Sequence, residues 1–133
     1  MPDNHQTLQC VVVTPEQVLL NEAVDFVALP MYDGELGVLP GRAALIGRLD
    51  SGELRVREGE GARRFFVDGG FAQVRGDVVT VVTPRAQRAE DIDTAAARAC
   101  LDAPHGQRAT PEAQRRARAQ LRMAAQPAQL PSR

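Results

Sequence analysis

Arg64-Phe65-Phe66-Val67-Asp68-Gly69-Gly70-Phe71-Ala72-Gln73-Val74-Arg75-Gly76-Asp77-Val78-Val79-Thr80-Val81-Val82-Thr83 is the stretch that decides the fold. Three short runs rich in β-branched and aromatic residues, 64–67, 71–75 and 78–83, are separated by Asp-Gly-Gly and Gly-Asp. Glycine and aspartate are what tight turns demand, and 78–83 gives the strongest strand signal of the chain. Working upstream, Leu54-Arg55-Val56-Arg57 alternates apolar with charged, as a strand with one wet face should. Glu58 to Gly61 is a turn, and Asp50-Ser51-Gly52 is another turn signal after a strand at 44–49. A strand from Leu8 ends at Thr14-Pro15, where proline interrupts a ladder. Runs at 18–20, 24–29 and 36–39 follow, the last among the turning residues Gly34, Gly37, Pro40 and Gly41. Turn signals thus recur at roughly the 8–12-residue spacing of an all-β architecture, and the reading is a β-sandwich of about ten short strands.

Downstream the period changes. Ile92, Ala95, Ala96 and Ala99 recur at helical spacing, Asp91 or Asp93 can cap the start, and Pro104 stops this first helix near Asp102. His105-Gly106-Gln107-Arg108 is a connector. Thr110-Pro111 then opens a second helix, with threonine as cap and proline in the first turn, running to about Gln126 before Pro127. Ala113, Ala117, Leu121 and Ala124 form a narrow small-residue stripe, and Arg115, Arg118 and Arg122 share the opposite side. Such a stripe buries little apolar area, so the two-helix hairpin should dock weakly and be able to move. The expected organisation is therefore mainly β with α: a sandwich domain over 1–88, then a helical hairpin and tail over 89–133.

Composition excludes several classes of function. All 16 basic residues are arginine. Without lysine there can be no Walker-A phosphate loop and no Schiff-base chemistry. The net charge of −1 gives no global reason to bind nucleic acid. Charge is uneven, with 12 acids against 7 arginines in 1–84 and 9 arginines against 5 acids in 85–133, as for two modules with different partners. No run approaches the roughly 20 apolar residues of a membrane span, and no secretory or transit segment is visible, so a bacterial cytoplasmic setting is expected. Cys10 and Cys100 both sit in apolar patterns and read as two buried thiols. His5 and His105 lack ligand spacing, so neither a metal site nor a cofactor is expected. Ser51 and Ser132 lie outside any nucleophile motif. Glu58/Glu60 and Asp91/Asp93 read as turn and cap carboxylates rather than an acid/base pair. The chain reads as an interaction protein without catalytic residues.

Gly34-Glu35-Leu36-Gly37-Val38-Leu39-Pro40-Gly41-Arg42-Ala43-Ala44-Leu45 resembles the signature G-E-(L/F)-G-(I/V)-(L/Y)-P-G-H-A-P-L of the epsilon subunits of F-type ATP synthases. Gly69-Gly70-Phe71-Ala72-Gln73-Val74 with Val78-Val79-Thr80-Val81-Val82 is similar to that family's G-G-x-x-x-V…V-T-V-L strand pair. Arg88-Ala89-Glu90-Asp91-Ile92-Asp93 and Ala119-Gln120-Leu121-Arg122 resemble the approach to its first helix and part of its second. The resemblance implies a ten-stranded sandwich with a helical hairpin. It also implies the gamma subunit, the ring of membrane c subunits and the alpha/beta catalytic head as partners, with the membrane reached only through the c-ring. Glu35 inherits the role of the family glutamate that faces the polar loops of the c-ring, where a carboxylate can pair with an arginine. Arg42 stands beside it where the family often has histidine, and it keeps a permanent charge there. The resemblance further implies that Arg115, Arg118 and Arg122, with Arg116, can swing up to acidic residues of the catalytic head and inhibit hydrolysis. Many bacterial members also carry an ATP-binding (I/L)-D-x-x-R-A motif. Ile92 and Asp93 keep its first two residues, but Ala96 stands in place of arginine. Losing that phosphate contact should cost on the order of 1.5–3 kcal/mol, which argues against tight ATP binding, and Asp93 is then a first-turn acid.

Overall fold

In a computed structural model of the protein, which describes residues 6–104, 106, 107 and 109–125, eight strands precede two helices. His5, His105, Arg108, Gln126, Pro127 and Ser132, each invoked above, lie outside the described residues. The strands are β1 (Leu8–Val13), β2 (Val18–Val24), β3 (Phe26–Met31), β4 (Gly34–Val38), β5 (Leu45–Glu58), β6 (Gly61–Arg75), β7 (Val78–Val82) and β8 (Ala86–Arg88). They form one hydrogen-bonded path, β2-β1-β7-β6-β5-β3-β4, with β8 added to β6. The β1–β7 pair is parallel; the other neighbours are antiparallel.

The count is eight rather than about ten: two of the expected turns are bends, which merges four of the runs into β5 and β6, while β8 is a short strand that no run covers. At Asp50-Ser51-Gly52 and Asp68-Gly69-Gly70 the β5–β6 ladder continues in one register, with Leu49 opposite Gly70 and Ser51 opposite Asp68. Gly69 and Gly70 have φ of +80° and +102°, a region that side-chain-bearing residues avoid. A Cβ on Gly70 would meet the Val82 carbonyl oxygen at 2.0 Å, so only glycine lets β7 pass this close. The bend folds the sheet over itself. The first half of β5 and the second half of β6 continue into β7, β1 and β2, while the other halves pair with β3 and β8.

Between the two layers lies the core. Strict alternation sends Leu8, Cys10 and Val12 inward from β1, Leu54 and Val56 from β5, Phe65 and Val67 from β6, and Val79 and Val81 from β7. Each large side chain so buried contributes about 1.5–3 kcal/mol. Burial also pushes the Cys10 thiol up to about 12, the Arg63 charge only partly opposing it. Both cysteines are free thiols, as expected, but only Cys10 is buried; Cys100 is half-buried because the short helix that carries it faces an open cleft.

Beyond β8 a 3₁₀ turn, Ala89–Asp91, leads to α1 (Thr94–Asp102) and α2 (Pro111–Ala125). Of the two candidate caps, Asp93 is the one used: its carboxylate accepts the Ala96 N–H at 2.9 Å. The Thr110 hydroxyl likewise accepts the Ala113 N–H at 3.1 Å, ahead of Pro111 in the first turn. The apolar faces differ from the sequence expectation. On α1 it is Ala97 that is buried, while Ala95, Ala96 and Ala99 are exposed. On α2 the buried residues are Ala117, Ala119 and Met123, and Ala124 is exposed. Two neighbours share α2: the Ala113 carbonyl accepts from Cys100 of α1 at 3.8 Å and Ala117 lines the cleft beside α1, whereas Ala119 and Met123 meet the sandwich, so one stripe could not describe both. Ala119 and Met123 pack on Phe66 with Ala89 and Ile92 in a small cluster separate from the main core.

Candidate functional site

Three exposed surfaces stand out, and two of them gather residues singled out in the sequence. The first is the β4 edge. Glu35 faces outward on β4 opposite Pro30, because its neighbours Leu36 and Val38 turn toward the core. Its carboxylate is not merely solvated: Arg55 Nη2 donates to both oxygens at 3.0 Å, reaching across β3. Arg42 is exposed on the loop after β4, held by a bond from its N–H to the Leu39 carbonyl at 3.3 Å. The Gly41 N–H donates to Asp77 at 2.8 Å, tying this loop to the β6–β7 turn. The fold brings Glu35 and Arg42 together on one open concavity of about 630 Å³, with Tyr32, Ile46 and Arg48. Arg48 lies over the Tyr32 ring, 4.9 Å from its centroid, and Ile46 is 72% exposed. An acid, two cations and two bare apolar groups can grip a polar loop; they make no catalytic constellation.

The second surface is the outward face of α2. Arg115, Arg118 and Arg122 are all exposed there, as expected, and Arg118 is 3.5 Å from Gln114 one turn earlier. Arg116 is the exception. It points back into the molecule, its Nε 3.2 Å from Asp68 at the β6 bend, so the sequence-derived cluster of four loses one member. On this inner side Gln120 donates to Gln87 at 2.9 Å, and Arg64 donates to the Met123 carbonyl at 2.5 Å. The hairpin is held by a few polar ties and one small apolar contact.

Ile92 and Asp93, the two residues kept from the nucleotide motif, are separated by function. Ile92 precedes the helix and packs toward Phe66; Asp93 is spent on capping α1. Asp93 does line a cleft of about 550 Å³ between α1, α2 and the sandwich, with Gln87, Arg116 and Gln120. Ala96 also lines that cleft, so the face of α1 turned to it offers a methyl group where a phosphate contact would need a cation. Among the described residues, no three His, Cys, Asp or Glu side chains converge as metal ligands, and no helix is long and apolar enough to cross a membrane.

The third surface escaped the sequence reading. On the outer face of the β2-β1-β7-β6-β5 layer, Arg48, Phe71, Val82, Val13 and Val18 stand side by side on five successive strands. Phe71, Val82 and Val18 are 54%, 55% and 56% exposed, although large apolar side chains normally turn inward. An apolar groove of about 410 Å³ runs along Val13, Phe71, Val82 and Pro84. A signal existed: Val11-Val12-Val13 and Val78-Val79-Thr80-Val81-Val82 do not alternate, so both faces of those strands are apolar although only one meets the core.

Comparison with known proteins agrees with this anatomy. A family profile described as ATP synthase, Delta/Epsilon chain, beta-sandwich domain matches residues 7–89. The ATP synthase epsilon chain of Rhodopirellula baltica is 51% identical over 127 residues, covering 87% of this chain and 97% of that protein. That of Nitratidesulfovibrio vulgaris is 42% identical over 93 residues, covering 70% and 69%. A chain in the Euglena gracilis mitochondrial ATP synthase (OSCP/F1/c-ring) superposes with a TM-score of 0.64 at 25% identity, covering 86% of this chain and 75% of that one. A chain of the Tetrahymena thermophila central stalk and c-ring shares the fold, with a TM-score of 0.60 at 15% identity.

Proposed function

The chain belongs to the ATP synthase epsilon chains, and from that premise we propose how its three surfaces divide the work of a non-catalytic central-stalk subunit. Glu35 and Arg42 face the polar loops of the c-ring. The outer row of Phe71, Val82, Val13 and Val18 seats the sandwich on the gamma subunit. The arginines of α2 serve regulation at the alpha/beta head. Residues 1–88 act as the docking domain and 89–133 as the movable one. The subunit is peripheral, on the cytoplasmic face of a bacterial inner membrane, and touches the bilayer only through the c-ring.

One observation carries this reading: the three sets of residues stay accessible together on the folded chain and adjoin at Arg48. Glu35 and Arg42 sit on the β4 side, Arg48 joins their concavity to the apolar row, and Arg115 lines a neighbouring cleft with Arg48 and Phe71, while Arg118 and Arg122 lie outside the hairpin. A patch of bare apolar side chains on a folded domain marks a docking face, and interface centres are apolar with charges at the rim. Arg48 at one end of the row supplies such a rim. A charged pair at Glu35 and Arg42 sets register more than affinity. The test is the intact enzyme in inverted membrane vesicles carrying Glu35→Arg. Proton-driven ATP synthesis should fall while the chain stays bound to the head; unchanged synthesis would remove Glu35 from the c-ring contact. Phe71→Asp should instead stop the chain from co-eluting with an alpha–beta–gamma head, and full retention would remove the apolar row from the gamma interface.

A further inference from the structure

We propose that Glu35 and the docked hairpin are energetically coupled through a chain of alternating charges, with Arg55 as its pivot. The proposal deepens the reading of Glu35 as a partner contact, but it is tested on the isolated chain, so either can fail without the other. Glu35, Arg55, Glu53 and Arg64 all stand on the same outer face, since their neighbours Leu54, Val56 and Phe65 turn to the core. Arg55 Nη2 holds Glu35 at 3.0 Å, and Arg55 Nε is 4.0 Å from Glu53. Glu53 in turn accepts from Arg64 Nε, and Arg64 Nη2 donates to the Met123 carbonyl at 2.5 Å. That carbonyl is in the last turn of α2, among the four that lack a helical donor, where a cation also meets the negative end of the helix dipole. Side-chain exposure falls along the chain, from 55% at Glu35 and 36% at Arg55 to 21% at Glu53 and 11% at Arg64. Screening therefore weakens toward the helix, and a change of partner at the exposed end meets stronger interactions inward.

The sign of the coupling follows from competition for Glu53. While Glu35 occupies Arg55, Glu53 belongs to Arg64 and fixes its guanidinium under α2. When Glu35 is taken by a cation from another chain, Arg55 turns to its remaining acid and draws Glu53 away. Arg64 then loses the group that orients it, and its bond to Met123 weakens. A cation at Glu35 thus favours release of the hairpin, and by reciprocity a released hairpin favours the cation. Exposed ion pairs limit the effect to about two- to fivefold in the docking equilibrium.

Hydrogen exchange of the α2 amides in the full-length chain tests this, with β1 and β6 amides as an internal control of folding. Glu35→Gln should open α2 about two- to fivefold more often, although Glu35 touches nothing in the helix. Adding Arg55→Gln should return exchange to the wild-type rate, because the competitor for Glu53 is gone. Unchanged α2 exchange in Glu35→Gln overturns the coupling. A double variant as open as Glu35→Gln alone overturns the route through Arg55.

Discussion

The sandwich and the hairpin are built on different terms, though both follow from one short chain. The sandwich closes over a contiguous core of buried aliphatic and aromatic groups supplied by every long strand. The hairpin meets it through Phe66, Ala119 and Met123, with Ala89 and Ile92 beside them. Its other ties are polar: Arg116 to Asp68, Gln120 to Gln87, and Arg64 to Met123. Apolar area scales stability, whereas a polar tie trades bonds to water for bonds within the protein and contributes little net. Loss of the hairpin contact should therefore leave the sandwich standing, and loss of the sandwich core should take everything with it.

The comparison breaks first at the core. Phe65→Ala should cost about 3–5 kcal/mol of global stability by chemical denaturation, because Phe65 is among the largest fully buried side chains. A loss confined to the helices would contradict the division. Gly70→Ala comes next. Its φ and the Val82 oxygen forbid a Cβ, so a loss of about 1–3 kcal/mol, with faster exchange in β7, is expected. Met123→Ala sharpens the other side: α2 amides should open with about 2 kcal/mol less protection while β1 and β6 amides hold. Equal losses in both regions would mean that the hairpin is part of one cooperative unit.

The smallest effect is chemical. Cys10 keeps its proton in the fold up to about pH 12, whereas the unfolded thiol ionises near 9.0. Burial of Cys10 therefore contributes fully below that lower value and is lost progressively as pH rises between the two. At mildly alkaline pH a thiol reagent should modify Cys100, which lines the open cleft, and leave Cys10 untouched until the sandwich unfolds. Equal labelling of both would place Cys10 in a mobile region.

Much of this was legible in residues whose pattern has one reading. Thr110-Pro111, Asp93 and Pro104 marked helix ends because capping is local chemistry. The Asp68-Gly69-Gly70 bend was misread because a hairpin turn and a strand bend ask for the same glycines, and only the partner strand tells them apart. Arg116 was grouped with its outward neighbours because helical spacing gives an angle and not the position of Asp68. Glu35 was identified by resemblance, but its bond to Arg55 crosses an intervening strand and leaves no trace in local spacing. The apolar row is written in the unbroken valines, since both faces of those strands are apolar and only one can meet the core.

The division of labour is tested most directly by ATP hydrolysis in the cognate alpha–beta–gamma head. The head is titrated with the full chain and with a variant carrying Arg115→Glu, Arg118→Glu and Arg122→Glu, and co-elution is followed in both. The account predicts that both chains bind alike, through the sandwich, and that only the unaltered chain inhibits. Equal inhibition by the two, or failure of the variant to bind, would contradict it.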